Sequence, residues 1–340
     1  MNAPKDDKRA VRFQVAEDFA SKDSAEFVGE NGTATKSEGT VSSIRLLDHV
    51  LNQRPDLNLA GNVFVDPKAV KSDSGGYADV FEGYLRLPTS GEMVRVAVKR
   101  LRMKVNEEKM AKYIAKEIRI WSEFNHPNIL PLRGYFMEGL FPSLVSDWMM
   151  HGSLRVYREK LTRKESLSLM LGMARGLAYI HGKGAIHSDM KTDNVLVSPD
   201  KQPLLTDFGI SRMDSLSAGY TSHSVRGTAR WQAVEFFRLS DGPPPVHTRQ
   251  TDVWAFGMTV YELLTKDRPF AFLKEDLHVI LFVSQGRLPK QPTFSTIPDV
   301  AAIEHFMWSL CNKCWNLDPN LRPSMDEIEV IIQKECANQP

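Results

Sequence analysis

The chain of 340 residues carries 43 Lys and Arg against 42 Asp and Glu, a formal net charge of +1, with 42% hydrophobic and 25% charged residues. That composition suits a chain burying one large core or two smaller ones, and the charge balance gives no electrostatic reason to expect a nucleic-acid or membrane-surface partner. Three cysteines, no apolar N-terminal segment and no uncharged apolar run of about eighteen residues argue against secretion and against a membrane span, so the expected compartment is reducing, cytoplasmic or nuclear.

Residues 1–40 are polar and charged without a sustained apolar period and read as a disordered tail. Residues 41–61 read as a short helical lead-in. Ile44, Leu47, Val50 and Leu51 share one face before Arg54 and Pro55 stop the helix. Docking of this helix on the adjacent lobe as a regulatory element is the alternative. The folded core is expected from Asn62. SDSGGYADVFEGYL reads as strand, turn, strand, and VRVAVKRLR as a β-branched strand carrying Lys99. A Lys on a half-buried strand is costly unless its ammonium finds a partner. EEKMAKYIAKEIRIW is a basic amphipathic helix, and SLVSDWMMHGSL is a strand that breaks into a polar stretch. ESLSLMLGMARGLAYIHG is apolar nearly all round, which predicts an interior helix whose Gly172 and Gly176 allow close packing.

The densest chemistry follows. In HSDMKTDN, His187 to Asn194, polar residues sit between the apolar runs GAI and NVLV, so a loop between two strand-like pieces aims them outward; TDFG follows at Thr206 to Gly209. Asp189 supplies a carboxylate able to take a proton from a hydroxyl, and Lys191 a fixed positive charge. Asn194 and Asp207 supply the oxygen ligands that a hard cation such as Mg²⁺ prefers. Those four groups suit phosphoryl transfer. Past a polar stretch ending in GTARW, TDVWAFGMTVYELLT is another all-round apolar helix, and the remainder reads as two helices around DPNLRPS. Cys311 and Cys314 form a lone CxxC; zinc needs four ligands and there is no second pair, so they read as buried thiols.

HxDxKxxN followed by DFG resembles the catalytic and metal-binding loops of eukaryotic protein kinases, and GTARW is similar to the motif of their tyrosine-kinase-like group of Ser/Thr kinases. The resemblance covers residues 62–336. It implies an α+β bilobal fold, with a small β-rich N-lobe (62–147) carrying one main helix and a larger helical C-lobe (150–336). ATP would lie in the cleft with Mg²⁺, and the γ-phosphate would pass to Ser or Thr hydroxyls of protein substrates.

Residue by residue, the resemblance makes Asp189, Lys191, Asn194 and Thr228 catalytic, with Asn194 and Asp207 holding the metal. Lys99 would contact the α- and β-phosphates, oriented by Glu117, which stands nine residues before HPNIL. Ser74, Gly75, Gly76, Val80, Ala97 and Leu196 would surround the nucleotide. Ser146 takes the gatekeeper position, and Asp147 to Met149 the hinge that bonds the adenine. Glu235 and Arg322 would form a structural ion pair. Four positions depart from the pattern: Asp73 and Ala78 replace glycines of the phosphate-covering loop, Ser188 replaces the Arg before the catalytic Asp, and Val234 replaces the proline of APE. The first two matter because glycine tolerates torsions that a Cβ resists. Without an Arg at 188, a phosphate at Thr221, Ser222 or Ser224 would lack its principal partner, so activity is expected not to require it. The runner-up is a pseudokinase serving as a nucleotide-binding or allosteric scaffold, and a third reading is an adaptor acting through residues 1–60.

Overall fold

A computed structural model describes residues 38–65, 73–74, 78–101, 106–208, 228–238 and 244–339, of which residues 38–42, 73–74 and 101 are described in backbone alone. The readings of the 1–37 segment, of Gly75 and Gly76, and of Thr221, Ser222 and Ser224 fall outside these residues. For Ser74 only the backbone is described.

The first lobe is an antiparallel sheet in which β1 (Val63–Val65), β3 (Ala78–Arg86), β4 (Met93–Leu101), β6 (Phe141–Asp147) and β5 (Leu132–Glu138) lie side by side in that order. Strand β2 (Asp73–Ser74) joins β1 along the same edge of β3. Alternation along β4 separates two faces. Val96 and Val98 are fully buried and meet Leu85 and Val145 in a small core inside the curled sheet. Lys99 and Ala97 point to the opposite face, where the register sets Lys99 against Val80 and Ala97 against Ser146. Directly opposed residues share a face, so the pairing alone brings Val80, Ala97, Lys99 and Ser146 together.

Helix α1 (Glu38–Gln53) starts a turn earlier than its apolar period indicates, and it packs against α2 (Glu107–Trp121) instead of trailing from the lobe. Its stripe explains this: Leu47, Val50 and Leu51 are buried in the same core as Ile114, Ala115 and Ile118 of α2. A short turn at Pro55–Leu57 then crosses β5. Gly134, at φ +154° and a break in the β5–β6 register, permits that crossing; a Cβ there would lie 2.2 Å from the Leu57 carbonyl.

The second lobe is helical: α3 (Leu154–Tyr157), α4 (Arg163–Gly182), α5 (Arg249–Thr265), α6 (Asp276–Ser284), α7 (Pro298–Cys314) and α8 (Met325–Asn338), with a hairpin of β7 (Val195–Val197) and β8 (Pro203–Leu205). Side chains cap the starts. Thr162 with Glu165, Thr248 with Thr251 and Ser324 with Glu327 each form a reciprocal box that satisfies amides at the first turn of α4, α5 and α8. Helix α5 is buried on every side, as its sequence requires: Val253, Trp254, Phe256, Met258, Val260 and Leu263 are 0 to 2% exposed. Gly172 and Gly176 let α4 approach Pro203, Asn128 and Leu205, with no room for a Cβ. Cys311 and Cys314 are buried between α7 and α5; Cys311 Sγ donates to the Gly257 carbonyl at 3.4 Å, and burial pushes the Cys314 thiol up to about 12. Among the described residues no helix is long and apolar enough to cross a membrane.

Candidate active site

The loop carrying Asp189 is held from below by α5. Asp252, in the first turn of that helix, accepts the amides of His187 and Ser188, each at 2.8 Å, and meets His181 Nε2 at 2.9 Å. Burial alone would raise this carboxyl; the bond to His181 and the loop amides keep it below its ordinary range. Ser188 is at φ +67°, a left-handed conformation that a non-glycine residue adopts only where its surroundings impose it. Nearly three turns along α5, buried Glu262 accepts from Thr192 N (3.1 Å), Thr192 Oγ1 (2.7 Å), Arg158 (2.9 Å) and Trp231 Nε1 (2.8 Å). One carboxylate thus ties the Asp189 loop to the GTARW segment.

Within the loop, Asp189 Oδ2 receives Lys191 Nζ at 2.6 Å and Asn194 Nδ2 at 2.7 Å, and the same amide reaches the Asp189 carbonyl at 2.8 Å. Asp189 Oδ1 is buried and has no partner. Burial opposes the charge on Lys191, and the adjacent Asp189 outweighs it, so the ammonium titrates above its usual range. The bidentate use of the Asn194 amide nitrogen turns its carbonyl oxygen away from Asp189.

Across the cleft, Lys99 Nζ lies 3.4 Å from Glu117 Oε1 and is also bonded to Asp207 Oδ1. One ammonium cannot neutralise two carboxylates equally. Burial raises both acids, yet Lys99 holds Asp207 below its ordinary value, whereas in Glu117 burial prevails and the carboxyl is pushed up to about 7. Glu117 Oε2 has no partner. Lys99 itself is desolvated, but the two acids raise its pKa. Asp207 is at φ +65°, a second left-handed residue at the cleft.

Aromatic rings join the two sides. Phe208 packs edge-on against His187 with centroids 5.4 Å apart and against Phe124 at 5.2 Å, and meets Trp121 of α2 at 6.2 Å. The residue after Asp207 is thereby wedged between α2 and the Asp189 loop.

The other expected positions fall around this centre. Val80, Ala97 and Leu196 are half-buried; Ser146 is buried opposite Ala97. Asp147 spends its carboxylate on Arg133, at 2.7 and 2.9 Å, which leaves its backbone for the hinge contact expected there. Met149 is half-buried beside the core. Thr228 shares a small recess with Ser188, Asp189, Met190, Trp231 and Phe236. Glu235 and Arg322 form a fork at 2.7 and 2.8 Å, with Arg322 also donating to the Asn316 and Gln250 carbonyls and lying over Trp254. Ala78 is buried in β3, paired with Leu101 and not at positive φ, so its Cβ imposes no backbone restriction.

Sequence reading passed over Glu262, Arg158 and Arg230, and gave Asp252 no task. Arg230 is buried and donates to the carbonyls of Pro269, Phe270 and Leu273, which makes it a clamp under α6. A signal was present for Glu262: a carboxylate inside an all-round apolar helix must have partners.

The set fits a divalent cation on its donor chemistry. Asn194 carries an amide oxygen and Asp207 a carboxylate on the same side of the cleft, at neighbouring ends of the β7–β8 hairpin where Thr206 N donates to the Asn194 carbonyl at 3.1 Å, and both are hard oxygen ligands. A bilobal fold with Lys99 and Glu117 on one wall and Asp189, Asn194 and Asp207 on the other defines the class, and the chain belongs to the protein tyrosine and serine/threonine kinase family, whose model matches residues 70–332. Among curated relatives it is 32% identical over 265 residues to the probable serine/threonine-protein kinase drkD of Dictyostelium discoideum, covering 76% of this chain and 19% of that protein. It is 27% identical over 286 residues to the serine/threonine/tyrosine-protein kinase HT1 of Arabidopsis thaliana, covering 79% and 66%. With ephrin type-A receptor 5 of Rattus norvegicus it shares 29% over 273 residues, covering 78% and 26%. The chain therefore spans from about a fifth to two thirds of the length of these relatives.

Proposed function

We propose that this chain transfers the γ-phosphate of ATP to Ser or Thr hydroxyls of protein substrates, as a tyrosine-kinase-like Ser/Thr kinase. The observation that carries the reading is a pair of bonded sets, Lys99 with Glu117 and Asp207, and Asp189 with Lys191 and Asn194, joined by the packing of Phe208 on His187.

In this reading the buried and unpartnered Asp189 Oδ1 is the acceptor for the hydroxyl proton, while Oδ2 is fixed by Lys191 and Asn194. Lys191 reaches past Asp189 to place positive charge beside the attacking oxygen, and Lys99 places it on the nucleotide phosphates. Asn194 and Asp207 would hold Mg²⁺, and the chemistry it would supply is neutralisation of phosphate charge. Catalysis then consists of positioning and charge, as phosphoryl transfer demands. Lys191 with Thr228 supports Ser and Thr as acceptors; the names of the relatives span Ser/Thr, dual-specificity and receptor types, so the acceptor rests on those two residues. The unpaired Cys311, Cys314 and Cys336 suit a reducing compartment.

The scaffold reading drew on the altered glycine loop (Asp73 and Ala78), on Val234 and on Ser188, and the strand backbone at Ala78 weakens only the Ala78 part of that argument. The deciding experiment supplies labelled ATP and a generic protein substrate, then identifies the labelled residue. Label on Ser and Thr is expected. Label on Tyr alone would overturn the acceptor, and none above the Asp189→Ala background would overturn transfer.

A further inference from the structure

Among the described elements, α1 is the one that α2 packs against most closely. The buried residues of α2 occupy an unusually wide arc. Met110, Ile114, Glu117 and Trp121 lie on the side toward the sheet and the cleft, while Ala111, Ala115 and Ile118, all at most 2% exposed, extend the buried surface to about 160° around the axis at 100° per residue. A helix resting on a sheet alone buries a narrower stripe, and the extra width matches the stripe of Leu47, Val50 and Leu51.

Polar contacts fasten the same region. Tyr135 of β5 donates its hydroxyl to the Leu51 carbonyl at 3.0 Å in a buried setting. Arg54, forked onto Asp56, reaches the carbonyl of Ser122, the residue that ends α2, at 3.4 Å. The chain then pairs with β5, Leu59 N donating to the Tyr135 carbonyl at 2.8 Å. So α1 and its following turn grip α2 along its length and at its C-terminal end. From that end Trp121 contacts Phe208, the neighbour of Asp207, and one turn earlier Glu117 meets Lys99.

We propose that α1 and the 54–59 turn are an in-chain clamp that holds α2 where Glu117 engages Lys99, with Leu47, Leu51, Arg54 and Tyr135 as positioning residues. This rests on the function proposed above, since the clamp matters through that ion pair. Glu117 needs such help: its carboxyl is deeply buried, its contact with Lys99 is long, and Lys99 is shared with Asp207.

The test uses the full chain with Leu47→Ala and Leu51→Ala together, and separately Tyr135→Phe, which removes one hydroxyl and keeps the fold if the pair does not. Transfer kinetics and amide exchange are read on each. The double variant is expected to lower kcat/KM for ATP by roughly tenfold or more and to speed exchange in α2 while α5 is unchanged. Tyr135→Phe should shift both in the same direction by less. Placed in a Glu117→Gln background, the double variant should cost less than about twofold more, because the pair it supports is already gone. Transfer within about twofold of wild type, an undiminished cost in the Glu117→Gln background, or equal loss of protection in α5 would overturn the clamp. A wild-type chain that transfers nothing would overturn the function instead, and α2 exchange alone would then decide: selective loss in the α1 variants supports the clamp, and no loss contradicts it.

Discussion

Asp252 and Glu262 inside α5 accept three and four bonds respectively, whereas Glu117 on α2 has one contact with Lys99 at 3.4 Å and an oxygen with no partner. All three acids are almost wholly buried. The difference is in what each has been given in exchange for water. Desolvating a carboxylate costs several kcal/mol, and only a full set of donors offsets it. Asp252 has that set and stays below its ordinary range; at Glu262 burial still prevails and raises the carboxyl, but four donors fix it in place, so the loop presenting Asp189 is over-determined. Glu117 shares a single cation with Asp207, and its charge is conditional on pH and on where α2 stands. One wall of the cleft is a fixed mount and the other an adjustable one.

The largest effect should come from breaking the fixed wall. Glu262→Ala strands the Arg158 guanidinium and leaves the Thr192 amide and the Trp231 indole without an acceptor. A loss of about 3–5 kcal/mol in urea-unfolding stability is expected. A loss under about 1 kcal/mol would mean that the carboxylate is not holding the loop.

Next comes Asp207→Asn, which keeps shape and removes the charge that answers Lys99 and would hold the metal. Steady-state transfer should fall by about 10²–10³-fold, or 2.7–4 kcal/mol in the barrier, with little change in unfolding midpoint. Retained activity within about tenfold would place the metal elsewhere.

The adjustable wall predicts opposite pH trends for activity and stability. Glu117 has a folded-state pKa of about 7 against an ordinary 4.5, so its contribution to stability is fully present below pH 4.5 and is lost as pH rises through 7. Over the same window the carboxylate forms and pairs with Lys99, so kcat/KM for ATP should rise with an apparent pKa near 7. Glu117→Gln should lower the plateau and flatten that limb. An unchanged limb in the variant would assign the titration to another group.

The smallest effect concerns Ala78. Glycine was the expected residue there on the ground that a Cβ resists the torsions of a phosphate-covering loop, but Ala78 is in extended, buried strand. Ala78→Gly should leave ATP affinity alone and cost about 0.5–1 kcal/mol through backbone entropy. A tighter KM for ATP would restore the first argument.

How far such features could be read beforehand depended on whether their chemistry is local in the chain. Asp189, Lys191 and Asn194 lie within six residues, and their spacing alone brings them to one loop. Lys99 and Glu117 are on separate elements, yet a half-buried Lys demands a partner, and the family resemblance, through the nine-residue step to HPNIL, pointed to Glu117. Asp252 and Glu262 were not readable in that way. An all-round apolar helix has no phase, so nothing in its pattern says which neighbour a polar residue faces. The stripe on α1 posed the complementary problem: it declared that a partner exists without naming α2. Ala78 misled because a motif position implies a torsion, and only the backbone reports one.

The central claim is that Asp189 is a base with one unpartnered oxygen on a fixed mount. The direct measurement is the single-turnover rate of γ-phosphate transfer to a Ser/Thr substrate by wild type and by Asp189→Ala, each with its unfolding midpoint. The account predicts a rate lower by about 10²–10⁴-fold in the variant with a midpoint lowered less than in Glu262→Ala, because Asp252 and Glu262 anchor the loop while Asp189 Oδ2 bonds only Lys191 and Asn194 inside it. Equal rates in the two proteins would contradict it.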